Sequence, residues 1–214
     1  MLSAVLGILV SQSARAEVLS VGPNGKFAAP CAAFTAAADG DTIEIDAAGK
    51  YVGDVCAITK NKLTIVGTGG LAKIDAGGMN AQGKATWIVQ GDDTTIRSVE
   101  FTGAKVPDMN GAGIRQEGKN LRVQRCYFHD NEDGILAGDV AGSEILIENS
   151  EFDHNGAGDG YSHNLYINHV AKPSLPKRRA STPAPIRETA TASRSRRAKA
   201  TCSPRAARRA ARWA

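Results

Sequence analysis

Three segments of the chain carry the same order of apolar and polar positions. They cover residues 94–101, 121–128 and 145–152. Each segment has two inward-pattern positions that are two residues apart, followed by two polar residues, a small residue, one further residue and a Phe. The equivalent positions Ile96, Val123 and Ile147 are 27 and 24 residues apart. Repeats of 20–50 residues are typical of stacked units, each too small to bury its own apolar face. The pattern therefore predicts a stacked repeat architecture.

Shorter alternating segments precede the clear repeat. Residues 42–45, 63–67, 72–75 and 86–90 are rich in β-branched side chains and are bounded by Gly, Asn and Asp. Such segments predict short strands joined by tight turns. They would supply the coils that come before residue 94.

The second copy of the repeat continues past its Phe to an Asn and a Gly-Ile pair. Its pattern positions are Leu121, Val123, Cys126, Phe128, Asn131, Gly134 and Ile135. This pattern resembles the right-handed parallel β-helix of the pectate-lyase-like superfamily, whose coils often read L-x-I-x-x-C-x-F-x-x-N-x-x-G-I. The resemblance implies an all-β, right-handed parallel β-helix over residues 17–171. It implies much less about activity, because the fold carries lyases, hydrolases, epimerases and non-catalytic adhesins.

A short helix is predicted over residues 30–38, where Pro30 is followed by a run of alanines. In the superfamily that the chain resembles, such a helix covers the open N-terminal end of the core. Cys31 lies on this helix and Cys56 in the next segment, so in an exported protein a disulfide would join the cap to the first coil. Two buried thiols are the alternative. Cys126 occupies the small inward position of the repeat and is expected to be a buried thiol.

Residues 1–16 contain an apolar run that ends in Ala14-Arg15-Ala16. This predicts a signal peptide cleaved before Glu17, and hence export to the periplasm or the extracellular space. A buried N-terminal strand is the alternative. The run is too short to span a bilayer and no other stretch approaches that length, so no membrane span is expected.

The charge of the chain divides at residue 171. Residues 1–171 contain 13 Lys and Arg against 21 Asp and Glu, a net charge of −8, whereas residues 172–214 contain 13 against one, a net charge of +12. Five of the eight prolines lie in this second part, which predicts a disordered tail.

One interpretation of the tail is a basic arm for nucleic acid or for anionic envelope polymers. The other, which we favour, is a frameshift or truncation after about residue 171, because the repeat stops where the composition changes. We therefore expect no nucleic-acid partner, and a monomer if the chain is complete.

Strand parity predicts which side chains share a face of the β-helix. If Ile114, Ile135 and Leu165 point inward on successive coils, then Arg115 and Tyr166 point outward on the same line. In β-helix enzymes that act on carbohydrates, the outer face of such a strand is commonly the substrate groove.

The resemblance therefore suggests roles for five residues. Tyr166 would stack on a sugar ring, and Asn164 and Asn168 would hydrogen-bond to hydroxyls. Arg115 would meet a uronate carboxylate, and His163, of inward parity but at the strand edge, would act as acid or base. Arg115 and His163 are thus the candidate catalytic residues. A structural strand with polar edges is the alternative.

An acidic corner provides candidate ligands for a metal. The superfamily's polyuronate lyases typically bind Ca²⁺ through carboxylates, and oxygen-rich clusters suit this ion. The candidate ligands are Asp130, Asp133, Asp153 and Asp159. The alternative for this corner is a turn ladder in which Asn131 and Asn155 stack their amides.

Two functions remain open from the sequence. The first is an exported protein acting on an acidic polysaccharide by lyase-like chemistry. The second is a non-catalytic β-helix, either a binding or structural module or an inactive remnant.

Overall fold

The chain winds through three parallel sheets in turn. The computed structural model describes residues 15–156, 162–168, 170, 172–174 and 198–201. Within these residues the chain visits the first, second and third sheets in the same order five times, which gives five coils of a parallel β-solenoid. The predicted all-β parallel solenoid is confirmed.

Strands from successive coils lie side by side in each sheet. The first sheet contains β1 (Val18–Val21), β2 (Thr42–Asp46), β5 (Thr64–Thr68), β8 (Thr95–Arg97), β11 (Leu121–Gln124), β14 (Glu144–Glu148) and β17 (Lys172–Ser174). The second contains β3 (Tyr51–Val52), β6 (Ala72–Asp75), β9 (Val99–Thr102), β12 (Tyr127–His129) and β15 (Glu151–Asp153). The third contains β4 (Cys56–Ile58), β7 (Ala85–Val89), β10 (Ala112–Gln116), β13 (Asp133–Ala137), β16 (His163–Ile167) and β18 (Ala198–Thr201). All pairings between these strands are parallel except that of β16 with β18.

The strand register matches the repeat in the sequence. Ile96 pairs with Val123 and Val123 with Ile147 in the first sheet. Phe101 and Phe128 are partners in the second sheet, as are Phe128 and Phe152. A slip of one residue would turn every buried side chain outward, so burial of these positions fixes the register.

A column of aromatic rings runs through the core. Phe34 meets Trp87 edge-on at 4.9 Å between ring centroids, and Trp87 meets Phe101 edge-on at 5.0 Å. Phe101 then stacks on Phe128 at 4.9 Å, and Phe128 on Phe152 at 4.8 Å. Such pairs add about 0.5–1.5 kcal/mol each beyond the burial of their area. The column therefore links the coils along the axis of the solenoid.

Glycine is required where the third sheet passes this column. A Cβ on Gly113 would lie 2.9 Å from Cδ1 of Phe128, and one on Gly134 would lie 2.7 Å from Cδ1 of Phe152. The Gly of the repeat pattern is therefore explained by close packing against the phenylalanine rings.

The helix α1 (Pro30–Ala36) covers the N-terminal end of the core, as predicted. It buries Phe34 against Trp87, and Asp54 Oδ2 accepts the backbone N–H of Cys31 in its first turn at 2.9 Å. A disulfide between Cys31 and Cys56 joins it to β4, with 6.0 Å between the Cα atoms. The predicted disulfide is confirmed. Cys126 is a buried thiol, also as predicted, and its burial raises the pKa of the thiol to about 11.

Two predictions concern parts of the chain that lie largely outside the described residues. The proposed signal peptide falls almost wholly on residues 1–14, and most of residues 172–214 are also not described. Within the latter segment β17 extends the first sheet and β18 lies along the edge of β16. No helix in the described part of the chain is both long and apolar enough to cross a membrane.

Loss of the disulfide should destabilise the fold by about 3–4 kcal/mol, the value expected for closing a loop of this length. The Cys31→Ser and Cys56→Ser double variant would show this in chemical denaturation monitored by circular dichroism. Either single substitution should cost nearly as much as the double one, since each breaks the same bond. A double variant within about 1 kcal/mol of the wild type would contradict the role of the disulfide in holding the cap.

Two buried threonines should respond oppositely to replacement by valine. The hydroxyl of Thr86 is buried without a hydrogen-bond partner among the described residues, whereas that of Thr94, equally buried, donates to the carbonyl of Gly91 at 3.3 Å. Because an unpaired buried hydroxyl is costly, Thr86→Val should raise the free energy of unfolding by about 1 kcal/mol. Thr94→Val should lower it by about 1 kcal/mol. Equal effects of the two substitutions in denaturant titrations would count against this assignment.

Candidate functional site

The outer face of the third sheet presents one column of side chains on consecutive strands. Ala57, Ile88, Arg115, Leu136 and Tyr166 are register partners from β4 to β16. The predicted line of Arg115 and Tyr166 is therefore present, with Leu136 between them.

Much of this column is covered. Ile88 and Leu136 are buried in a second, smaller apolar cluster with Ala81, Ala85 and Ala112, and Tyr166 packs at its margin. These outward residues form a secondary core between the sheet and the turn that precedes β7. The accessible part of the face is therefore narrower than the sequence predicts.

The corner between β9 and β10, residues 103–111, is longer than the equivalent corner between β12 and β13 and leads into the third sheet. Glu132 anchors this corner, because its Oε2 accepts the backbone N–H groups of Val106 at 2.9 Å and Gly111 at 2.8 Å. A carboxylate that accepts two backbone donors holds a loop firmly. The corner that leads into β10 is thus fixed by Glu132.

A charged cluster surrounds Arg115. Glu117 Oε1 lies 2.6 Å from Nζ of Lys84, and its Oε2 accepts a hydrogen bond of 3.0 Å from Nε2 of Gln90. Arg115 Nε lies 3.9 Å from Glu117 Oε1. Burial opposes ionisation of Glu117, but the hydrogen bonds from Lys84 and Gln90 and the charges of Lys84 and Arg115 hold the pKa of the carboxyl below its usual value.

The ion pair of this cluster spans the sheet face. Lys84 directly precedes β7 and Glu117 directly follows β10, while β7 and β10 run side by side in the same direction. The side chains therefore meet across the outer face of the two strands. Their side chains are 39% and 25% exposed, so solvent reaches both.

His163 lies on the same side of the sheet as Tyr166. The two rings are parallel, with 5.6 Å between centroids, and His163 is only 3% exposed. Its backbone N–H donates to Asp133 Oδ1. The sequence predicted inward parity for His163, and this is a correction. Strict alternation fails because the register of β16 is irregular between His163 and Leu165.

An asparagine ladder, defined by Asn131, Asn155 and Asn164, joins the last coils. Asn131 Nδ2 donates to the carbonyl of Phe101 at 3.0 Å and to Asn155 Oδ1 at 3.1 Å. Asn155 Nδ2 donates to the carbonyl of Phe128 and to Asn164 Oδ1, each at 2.9 Å. The turn-ladder alternative is therefore confirmed.

The ladder changes the place of one predicted binding residue. The amide oxygen of Asn164 is engaged by Asn155 and does not flank Tyr166 as a free hydrogen-bonding group. The same irregularity that moves His163 outward accounts for this. Asn168 follows β16 and is half-buried, and its role in binding hydroxyls stays a prediction.

Two histidine–aspartate pairs, at the ends of β12 and β15, form within coils and not between them. Asp130 Oδ2 lies 2.6 Å from Nδ1 of His129, and Asp153 Oδ2 lies 2.7 Å from Nδ1 of His154. His129 and Asp153 are register partners on adjacent strands, as expected from the repeat. The hydrogen bonds nevertheless join neighbours in sequence.

Within the described part of the chain, the carboxylates proposed as calcium ligands do not form one cluster. Asp133 is buried in β13, whereas Asp130 and Asp153 lie at the second sheet. Within the described ranges no three His, Cys, Asp or Glu side chains are grouped so as to hold a metal ion. Asp159 lies outside those ranges, and a calcium requirement stays a prediction.

His129 is held among acidic groups on the outer face of the second sheet. Its Nε2 lies 3.0 Å from Glu100 Oε1, its Nδ1 contacts Asp130, and its ring stacks on Tyr127 at 4.4 Å. Burial favours the neutral ring, but the hydrogen bonds and charges of Asp130 and Glu100 outweigh it and raise the pKa of His129 above 6.5.

Comparison with known families agrees with this architecture. A model described as a right-handed β-helix region matches residues 42–170, more than half of the 214-residue chain. The chain belongs to the right-handed β-helix family. Neither the curated proteins nor the solved structures yield a match to this β-helix.

Three members of the charged cluster were not predicted from the sequence as site residues. Lys84, Gln90 and Glu117 flank strands and lie outside the alternating positions. One signal was present, because Gln90 and Glu117 are 27 residues apart, the spacing of Ile96 and Val123. In a β-helix, polar residues one period apart at strand ends are expected to be neighbours.

The contribution of His129 to stability should depend on pH. Since its pKa is higher in the folded chain than the usual 6.5, the stabilisation is fully present below about pH 6.5 and is lost as pH rises through the raised value. The difference in unfolding free energy between wild type and His129→Gln should therefore shrink from about pH 6 to about pH 9.

The matched control is His154→Gln, since His154 is 67% exposed and contacts the similarly exposed Asp153. Its effect on unfolding free energy should be smaller throughout this range. A difference for His129→Gln that grows with pH would refute the assignment.

Proposed function

We propose that this β-helix is an exported protein that binds an acidic polysaccharide along the outer face of the third sheet. One observation carries the proposal. Arg115 Nε is buried and has no hydrogen-bond partner among the described residues, and its nearest carboxylate, that of Glu117, is 3.9 Å away. An unpaired buried donor is costly, and because the Arg115 side chain is 31% exposed, the rest of its guanidinium can meet a carboxylate from a ligand.

Tyr166 supports the saccharide part of the proposal. It lies two strands from Arg115 in the same column, which is roughly 10 Å at the spacing of paired strands. Its ring is braced by the parallel ring of His163. An aromatic ring held in this way offers a rigid apolar surface to the C–H face of a sugar.

Export is supported by the Cys31–Cys56 disulfide, since disulfides persist mainly in oxidising compartments. The net charge of −8 on residues 1–171 does not itself favour a polyanion. Lys84 and Arg115 would supply the local positive charge, with Glu117 as their common counter-ion.

Binding of the polysaccharide without catalysis is better supported than its cleavage. A lyase needs a base beside the proton α to the uronate carboxylate, and the candidates are Arg115 and His163. His163 is 3% exposed, so a substrate would reach its ring only after local rearrangement. We therefore place non-catalytic binding first, and lyase-like elimination on the same face second.

Affinity for polygalacturonate or alginate should fall about tenfold or more in Arg115→Gln, since a charge-assisted hydrogen bond is worth about 1.5–3 kcal/mol. Tyr166→Ala should weaken binding to a similar extent. Calorimetric titration against each polymer measures both effects. Ultraviolet absorbance of unsaturated products, recorded with calcium and with chelator, tests cleavage in the same samples.

The matched control is Arg122→Gln, which removes an exposed arginine from β11 in the first sheet. It should leave affinity within about twofold of the wild type, because surface charges away from a site contribute little. Equal loss in both arginine variants, or equal binding of a fully methyl-esterified polymer, would reject the proposed face.

A further inference from the structure

The carboxylate of Glu117 is held by two side chains at once. Lys84 takes one oxygen at 2.6 Å, and Gln90 donates to the other at 3.0 Å. Both oxygens therefore have a close partner other than Arg115.

This arrangement is unusual for neighbouring Arg and Glu side chains. Arg115 and Glu117 are two apart on one strand segment, and a guanidinium and a carboxylate in reach normally close into paired hydrogen bonds. The distance from Arg115 Nε to the carboxylate is instead 3.9 Å, and the Nε–H makes no hydrogen bond within the described part of the chain. Something must hold the carboxylate away.

Gln90 is well placed to do this. The backbone N–H of Gln90 donates to Ile58, and that of Glu117 donates to Val89, each at 2.8 Å. The two residues therefore follow adjacent strands of the third sheet at the same level. Their side chains meet because the register of β7 and β10 brings them together.

We propose that Gln90 is a positioning residue that holds Glu117 off Arg115 and so keeps the guanidinium available for an anionic oxygen of a ligand. This rests on the proposed function, and it specifies the ligand chemistry at this point as a carboxylate or a sulfate ester. Gln90 is uncharged, so its removal leaves the net charge of the face unchanged. An effect on binding would therefore arise from geometry.

Four forms of the full chain test the proposal: wild type, Gln90→Leu, Glu117→Gln and the double variant. Gln90→Leu should lower affinity for polygalacturonate about tenfold, because Glu117 then pairs with Arg115. Glu117→Gln should bind at least as well as the wild type. The double variant should return to within about twofold of Glu117→Gln, since no carboxylate remains to compete.

A double variant as weak as Gln90→Leu would overturn the proposal, because it would mean that Gln90 contacts the ligand directly or supports the fold. Thermal unfolding of all four forms identifies a loss of folding. Repeating the titrations with dextran sulfate distinguishes a site for sulfate from one for carboxylate.

A second measurement needs no ligand. Hydrogen exchange of the Arg115 Nε–H, followed by ¹⁵N NMR on the free protein, should slow at least severalfold in Gln90→Leu and recover in the double variant. Unchanged exchange would refute the positioning role even if the wild type binds the polymer. Slowed exchange in a protein that binds no polymer would support the positioning role and reject the proposed function.

Discussion

A single coil of this β-helix is too small to bury its inner side chains, which are covered by the coils above and below it. The parallel register between successive strands is therefore the constraint on which the rest of the structure depends. Phe101, Phe128 and Phe152 stack because their strands pair residue for residue, and Trp87 and Phe34 continue the column to the capping helix. A shift of one residue in any coil would break the column and expose the core.

The same register aligns the polar groups at the corners. Asn131 and Asn155 contact each other because they occupy equivalent corner positions on successive coils, and Asn164 at the start of β16 extends the ladder within the last coil. The ladder also donates hydrogen bonds to the backbone carbonyls of Phe101 in β9 and Phe128 in β12. Apolar stacking and corner hydrogen bonding thus specify the same alignment, which makes the fold locally and globally consistent.

These constraints explain which features were predictable from the sequence. Phe128, Asn131 and Gly134 recur with the coil, and each has a packing role that a single chain can reveal. The pairing of Cys31 with Cys56 followed from a cap that must be attached to the first coil. The orientation of His163 and Asn164 was not predictable, since alternation assumes a regular strand and β16 is irregular at its start.

The charged cluster shows why chemistry on a solenoid surface depends on strand ends. Within a column, the neighbours of an outward side chain are dictated by register, and Arg115 lies between the apolar Ile88 and Leu136. Neither of these neighbours can compensate the charge of the guanidinium. Its nearest counter-ion therefore comes from the same strand segment and is Glu117, the residue that directly follows β10. Whether Arg115 is available to a ligand then depends on what else holds that one carboxylate, namely Lys84 and Gln90 at the ends of β7.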